Sequence, residues 1–202
     1  MVTEQLAGRG IVDGRVLDAM ARVPREVFVG EEDRKRAYLD MPLRIGYGQT
    51  ISQPYMVAII CQTAEVREGD RVLDIGTGSG YQAAVLAELG AEVHTVERIA
   101  ELAERARERL DRAGYPSVAV HVGDGSLGLP EHAPYNAIVV AAAAPHMPAS
   151  LYGQLVPRGR LVVPVGGPEG QRLEVIVASP EGPAVTRSVP CRFVPLVGAE
   201  GF

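Results

Sequence analysis

An aspartate, three glycines and a glutamate carry the most specific chemistry in this sequence. Asp74, Gly76, Gly78 and Gly80 fall within the run DIGTGSG, and Glu97 ends the next apolar segment. Glycines let the backbone turn sharply and let a ligand lie against it without meeting a Cβ. A P-loop is excluded, because no Gly-Lys-Ser/Thr follows them. The dinucleotide fingerprint G-x-G-x-x-G is not met either, since the spacing here is G-x-G-x-G. A carboxylate two residues before the first glycine would repel a pyrophosphate, yet it suits a ligand carrying an ammonium and a sulfonium. An acid at position 97, closing a second strand, can accept both hydroxyls of a ribose. Together these groups describe a site for S-adenosylmethionine; an ordinary tight turn is the alternative for a glycine loop taken alone.

Such a site needs a strand before the loop and a helix after it. Arg71 to Ile75 is a short apolar run bounded by Gly69-Asp70 and Gly76, which reads as a buried parallel strand. From Tyr81 the alanines, leucines and Val85 favour a helix that Gly90 closes. Glu92 to Val96 is predicted as the second strand, Ile99 to Ala113 as a solvated amphipathic helix, and Val118 to Val122 as the third strand. Asn136 to Val140 and Gly159 to Val165 are the fourth and fifth. Leu173 to Ala178 and Ala184 to Val194 close the chain as a hairpin. This order predicts an α/β fold, a doubly wound, mostly parallel sheet with an antiparallel edge strand and helices on both faces.

Before the sheet, Asp13 is a plausible cap for a helix through Arg22, and a short helical piece spans Glu31 to Tyr38. Both are expected to cap the sheet and shape a substrate opening. Met41 to Met56 is polar and glycine-rich and reads as loop, with Ser52 or Gln53 capping a helix that Pro54 begins. The free N–H groups there could hold an anion at Thr50, Ile51 and Ser52, or the segment could be a capping turn with no ligand. Asp124, in Gly123-Asp124-Gly125, could accept from an adenine amine or be an ordinary turn residue.

At 202 residues with 47% hydrophobic content, the chain suits one α/β domain and is short for two. A net charge of −5 with acids and arginines interleaved gives no footprint for nucleic acid. The N-terminus lacks the basic and apolar regions of a signal peptide, and no run of 18 apolar residues occurs, so a cytoplasmic protein with no membrane partner is expected. Cys61 and Cys191 form no C-x-x-C and read as free thiols. His94, His121, His132 and His146 are scattered, so no metal site is predicted.

The segments GQTISQPYM (48–56), VLDIGTGSGYQAA (72–84), VERI (96–99), GDG (123–125), APYNAIVVAAAAP (133–145), GRLVVPVG (159–166) and RFVPLVG (192–198) resemble the protein-L-isoaspartate O-methyltransferase family over nearly the whole chain. The glycine loop is shared by all class I methyltransferases, whereas TISQP and FVPL are characteristic of this family. Asn136 departs from the aspartate more usual there; within a strand it is expected to matter little.

The resemblance implies a Rossmann-like class I methyltransferase fold over residues 1–202. Residues 1–66 would form a helical cap and active-site loop, 67–170 a cofactor-binding core, and 171–202 C-terminal strands with a substrate-clamping segment. It implies methyl transfer from S-adenosyl-L-methionine, leaving S-adenosyl-L-homocysteine, to the free α-carboxylate of L-isoaspartyl residues in damaged proteins and peptides. Gln49, Thr50, Ile51, Asp74, Gly76, Thr77, Gly78, Ser79, Gly80, Glu97, Arg98, Asp124 and Gly125 would hold the cofactor. Thr50, Ile51, Ser52, Ala142, Ala143, Val194, Pro195 and Leu196 would meet the substrate, with Ser52 as the catalytic residue. A monomer is expected. Two alternatives stay open: another class I methyltransferase acting on a small molecule, and a non-catalytic cofactor-binding module. Against an amine-methylating enzyme, Ala-Ala-Ala-Ala-Pro stands where Asn/Asp-Pro-Pro-Tyr/Phe is often found.

Overall fold

The computed structural model describes residues 1–186 and 189–202. The chain begins with short helical turns and reaches α1, Gly14–Arg22, whose first turn is capped by the Asp13 carboxylate accepting the Arg15 N–H at 2.9 Å. A turn at Arg25–Phe28 and another at Glu31–Arg36 follow.

The expected loop between Met41 and Met56 contains a hairpin instead. Strands β1, Leu43–Gly46, and β2, Gln49–Ile51, pair antiparallel through Tyr47 and Gly48, at φ 54° and 73°. Two successive left-handed residues give a turn whose twist matches the flanking strands. The strands are too short for their alternation to stand out, although Leu43, Ile45 and Ile51 are all buried. Helix α2, Pro54–Ala64, begins where expected, with Gln53 at the cap position but no capping bond from its side chain. Pro54 has no N–H to satisfy, and the next one, from Tyr55, is accepted by the Asp40 carboxylate at 2.8 Å. Of the two readings offered for this segment, an anion site at Thr50, Ile51 and Ser52 or a capping turn, the Asp40 contact favours the turn at the first free N–H of the helix.

The main sheet adds β3, Arg71–Ile75, and β4, Glu92–Glu97, which flank α3, Tyr81–Glu88. Helix α4, Ala100–Ala113, leads to β5, Ala119–Val122, and then to β6, Tyr135–Val140. Helix α5, Ala149–Tyr152, precedes β7, Leu155–Gly167, after which β8, Gly170–Ser179, and β9, Gly182–Cys191, complete the edge. The order is β5-β4-β3-β6-β7-β8-β9, parallel through β7 and antiparallel at its last two pairings, which gives the expected mostly parallel sheet with a closing antiparallel hairpin at its edge.

Successive residues of the central strands supply two cores. Val72, Ala137, Val139 and Val162 pack under α1–α4, while Leu73, Ile75, Ile138, Val140, Leu161 and Val163 pack on the other face under α5 and the segment around Leu129. Burial on both faces explains why these strands read as continuous apolar runs. The strand order reverses between β3 and β6. A doubly wound sheet opens its ligand crevice at such a switch point, outside the carboxyl ends of the strands.

One expectation fails in space. Three of the four scattered histidines, His94 on β4, His121 on β5 and His132 in the turn Pro130–His132, gather beside the sheet. Parallel pairing places Val96 opposite His121, one step past His94 on the same face, a proximity that sequence spacing cannot reveal. No helix among the described residues is long and apolar enough to cross a membrane.

Candidate active site

The crevice at the switch point is a cleft of about 830 Å³, counted out to its open mouth. The ends of β3 and β6 come together there, with the Ala141 N–H donating to the Ile75 carbonyl at 2.8 Å. Gly76, Gly78 and Gly80 take φ values of 90°, 53° and 91°, the left-handed region that favours glycine. Gly76, Thr77, Gly78 and Ser79 line the cleft. Gly80 does not; it faces α4, where a Cβ would stand 3.2 Å from Leu110 Cγ.

Glu97 fixes the loop from the neighbouring strand. Its side chain is buried, and its two oxygens accept the Gly78 and Ile99 N–H groups, each at 2.9 Å. Each oxygen has a second lone pair, so Glu97, which also lines the cleft, can still accept from a ligand. Arg98 lines the rim, and Gly125 lines the wall, where an added Cβ would come within 2.7 Å of Ile75 Cγ2.

The two aspartates sit differently from their expected roles. Asp74 is fully buried and does not line the cleft. Its Oδ1 accepts from Gln82 Nε2 at 2.8 Å and its Oδ2 from Thr95 Oγ1 at 2.8 Å, and Thr77 Oγ1 lies 2.6 Å from Thr95 Oγ1. Because the Thr95 proton goes to Asp74, the Thr77 hydroxyl donates to Thr95. Burial pushes the Asp74 carboxyl up to about 6, against the lowering effect of these hydrogen bonds. Asp74 thus anchors the loop from below.

Asp124 also stays outside the cleft. Its Oδ1 accepts the Ser126 N–H and hydroxyl at 2.9 and 2.7 Å, and its Oδ2 accepts the Ala199 N–H at 2.8 Å. Burial opposes its ionisation, but the bonds from Ala199 and Ser126 prevail and hold it below the usual carboxylate range. It fastens the C-terminal segment to the end of β5.

That segment forms the opposite wall. The Ala143 N–H donates to the Val194 carbonyl at 2.8 Å, and the Leu196 N–H to the Ala143 carbonyl at 2.7 Å, so Val194, Pro195 and Leu196 run beside the end of β6. Ala142 and these three residues line the cleft, whereas Ala143 is spent on the pairing itself. Gln49, Thr50, Ile51 and Ser52 close the site from the hairpin.

A second cleft, of about 910 Å³ counted the same way, adjoins the first and shares Thr50, Ser52, Ala141 and Val194 with it. Its remaining wall is Pro42, Gln53, Met56, Arg192 and Phe193. Among the described residues, Ser52 Oγ has no hydrogen-bond partner, so this hydroxyl at the junction is available to a ligand.

Two participants escaped the sequence reading. Gln82 gives its amide N–H to Asp74, leaving a buried Oε1 with no partner on a side chain that lines the cleft. Arg25 is fully buried; it donates to the Ala37 carbonyl and the Ser52 carbonyl, both at 2.7 Å, and its guanidinium stacks 4.6 Å from the Tyr81 ring centre. It ties the N-terminal turns to the Ser52 backbone and to α3. No local pattern marks either residue, because their partners are distant in sequence or become partners only once the loop is folded.

A family model described as protein-L-isoaspartate(D-aspartate) O-methyltransferase (PCMT) matches residues 1–201. The chain belongs to this family. Relatives named protein-L-isoaspartate O-methyltransferase include one from Gloeobacter violaceus, 53% identical over 97% of this chain and 96% of its own length. Another, from Aeropyrum pernix, is 53% identical over 100% of this chain and 80% of its own. Among solved structures, one described as the protein-L-isoaspartate O-methyltransferase beta-aspartate methyltransferase of Plasmodium falciparum, in complex with S-adenosyl-L-homocysteine, superposes with a TM-score of 0.83. It is 27% identical over 97% of this chain and 96% of that one. A further protein-L-isoaspartate O-methyltransferase structure gives 0.89 at 28% identity, covering 99% of this chain and 66% of that one. The family's fold is therefore this chain's fold.

Proposed function

We propose that this protein methylates the free α-carboxylate of L-isoaspartyl residues in damaged proteins and peptides, using S-adenosyl-L-methionine. The observation that carries the reading is the pair of clefts meeting at Thr50, Ser52, Ala141 and Val194, one suited to a cofactor and one open to a peptide. The first cleft fits S-adenosylmethionine in its donor set. Bare backbone at Gly76 and Gly78 allows close approach, Glu97 can accept ribose hydroxyls, and the orphan Gln82 Oε1 can accept from an ammonium. Val96, Ile99 and Gly125 offer an apolar slot for a purine.

When bound, S-adenosylmethionine supplies an electrophilic methyl group on a sulfonium and departs as S-adenosyl-L-homocysteine. The protein's own task is positional. An isoaspartyl carboxylate is ionised at pH 7 and needs no general base, which agrees with a junction that offers a hydroxyl and no histidine. Ser52 Oγ donates to one carboxylate oxygen and aims the other at the methyl carbon, and a proximity effect of this kind can reach about 7–11 kcal/mol. Arg192, at the second cleft, offers a cation to the anionic substrate, while Ala142 and Val194–Leu196 form the wall for its backbone. The adjacent backbone amide nitrogen then attacks the ester carbonyl spontaneously and expels methanol to close a succinimide, and hydrolysis of the ring returns part of it to normal aspartate.

In this reading the whole chain is one catalytic unit, with residues 1–66 as cap and active-site loop, 67–170 as cofactor core and 171–202 as clamp. It acts as a monomer on protein substrates without nucleic acid. The compartment that suits it is the cytoplasm, where its two free cysteines persist as thiols. The linkage formed is the test. Label transferred to an isoaspartyl peptide should be released as volatile methanol at mildly alkaline pH, as a carboxyl ester requires; label stable to base would contradict carboxyl methylation.

A further inference from the structure

His94, His121 and His132 lie outside both clefts, yet each brings one ring nitrogen within 4.8 Å of the others. His94 Nδ1 and His121 Nε2 are 3.2 Å apart. Two nitrogens bound to one tetrahedral zinc, each at about 2.0–2.1 Å, stand roughly 3.3 Å apart. The first pair is therefore already spaced as metal ligands are. His132 occupies a partly exposed turn with one ring nitrogen within 4.8 Å of the others, so a modest inward movement of its side chain completes a three-nitrogen face.

The surroundings support the same use. His94 Nε2 faces Glu92 Oε1 at 3.3 Å, so the carboxylate holds that nitrogen as the N–H and leaves Nδ1 its lone pair, as a carboxylate orients a metal-binding histidine from outside. Arg71 donates to both Glu92 oxygens at 3.3 Å and to the His132 carbonyl at 3.4 Å, tying this carboxylate to the turn that carries the third imidazole. Burial, and after it His132, lower the pKa of His94 against the opposing hydrogen bond to Glu92, and burial, His94 and His132 lower that of His121. The charged groups around them are Arg71 and Glu92, with Arg107 and Glu131 beside His121.

We propose that His94, His121 and His132 bind one zinc-type divalent metal ion, with water in the remaining position, clamping edge strand β5 and the 130–132 turn to β4. Binding needs the His121 proton to move from Nε2 to Nδ1 through solvent, which frees Nε2 to face the metal. Imidazole donors favour Zn²⁺ or Co²⁺ over Mg²⁺, which prefers oxygen ligands. The metal would act on stability, and the inference does not depend on the methyl-transfer reading.

The test uses the full-length chain without a histidine tag, titrated with Zn²⁺ by calorimetry and with Co²⁺ by visible absorption. The expected result is one saturable equivalent, the absorption of four-coordinate Co²⁺, and a Tm raised by Zn²⁺ but not by Mg²⁺. His121→Gln and His132→Gln, both at partly exposed positions, should fold and lose at least tenfold in affinity together with the Tm shift. Failure of the unaltered chain to bind one equivalent, or undiminished binding in both variants, would overturn the proposal.

Discussion

Ser52 sits where the two clefts meet, and the structure separates its two possible duties. A serine beside a helix start can serve as a cap, worth about 0.5–2 kcal/mol when replaced by alanine. Here Gln53 holds the cap position, and the Tyr55 N–H goes to Asp40. Ser52→Ala is therefore expected to keep its melting temperature and its cofactor affinity, while kcat/KM falls about 10- to 100-fold, roughly 1.4–2.7 kcal/mol. Kinetics alongside a melt decide it: a lowered Tm with full activity would make Ser52 a structural residue.

Asp74 gives a second residue-scale expectation, with its sign set by burial. Its folded-state pKa of about 6 stands above the ordinary 3.8. Between those values the folded protein keeps a proton that the unfolded chain has released. Stability from this group is present below pH 3.8 and is lost as pH rises through 6, by up to about 3 kcal/mol. Asp74→Asn removes that slope. The stability of the variant relative to the parent should improve steadily from pH 4 to 7 in denaturant titrations, whatever constant cost its altered hydrogen bonds add. A difference that stays flat with pH would mean that Asp74 titrates normally.

At the scale of elements, the site depends on how segments remote in sequence are tied together. Arg25 links the N-terminal turns to the β2–α2 connection and to α3. Replacing it with methionine keeps most of the volume but leaves the Ala37 and Ser52 carbonyls without their donor. Arg25→Met is expected to cost about 3 kcal/mol and to lower methyl transfer by loosening the backbone at Ser52. Urea unfolding together with rate measurements checks both effects, and unchanged stability would remove Arg25 from its bridging role.

The same scale explains what the sequence did and did not disclose. The strand, glycine loop and helix at 71–90 were legible because apolar run, loop and closing glycine are local signals, and Glu97 was legible because it ends the next strand. The β1–β2 hairpin was not, since two strands of four and three residues have too little alternation to show. Asp74 and Asp124 were recognised as special residues and expected to face a ligand, whereas their oxygens are taken up by Gln82 and Thr95 and by Ser126 and Ala199. Whether a carboxylate faces a ligand or the backbone beneath it depends on strand pairing and on a C-terminal segment some seventy residues away. The histidine cluster and Gln82 depend on pairing of the same kind.

At the scale of the molecule, the sheet brings one cleft to its switch point and the C-terminal segment builds a second against it, so that two ligands can meet over Thr50 and Ser52. What enters the second cleft decides the reaction. An isoaspartyl residue carries an extra methylene in the backbone and presents its free α-carboxylate at a different distance from the chain than aspartate presents its side-chain group. A misplaced nucleophile forfeits the proximity effect. The most direct measurement is methyl transfer from S-adenosylmethionine to two peptides identical except for isoaspartate or aspartate at one position. The isoaspartyl peptide should be methylated and its partner should remain nearly inert; equal labelling of the two, or labelling of the aspartyl peptide alone, would contradict isoaspartyl methylation.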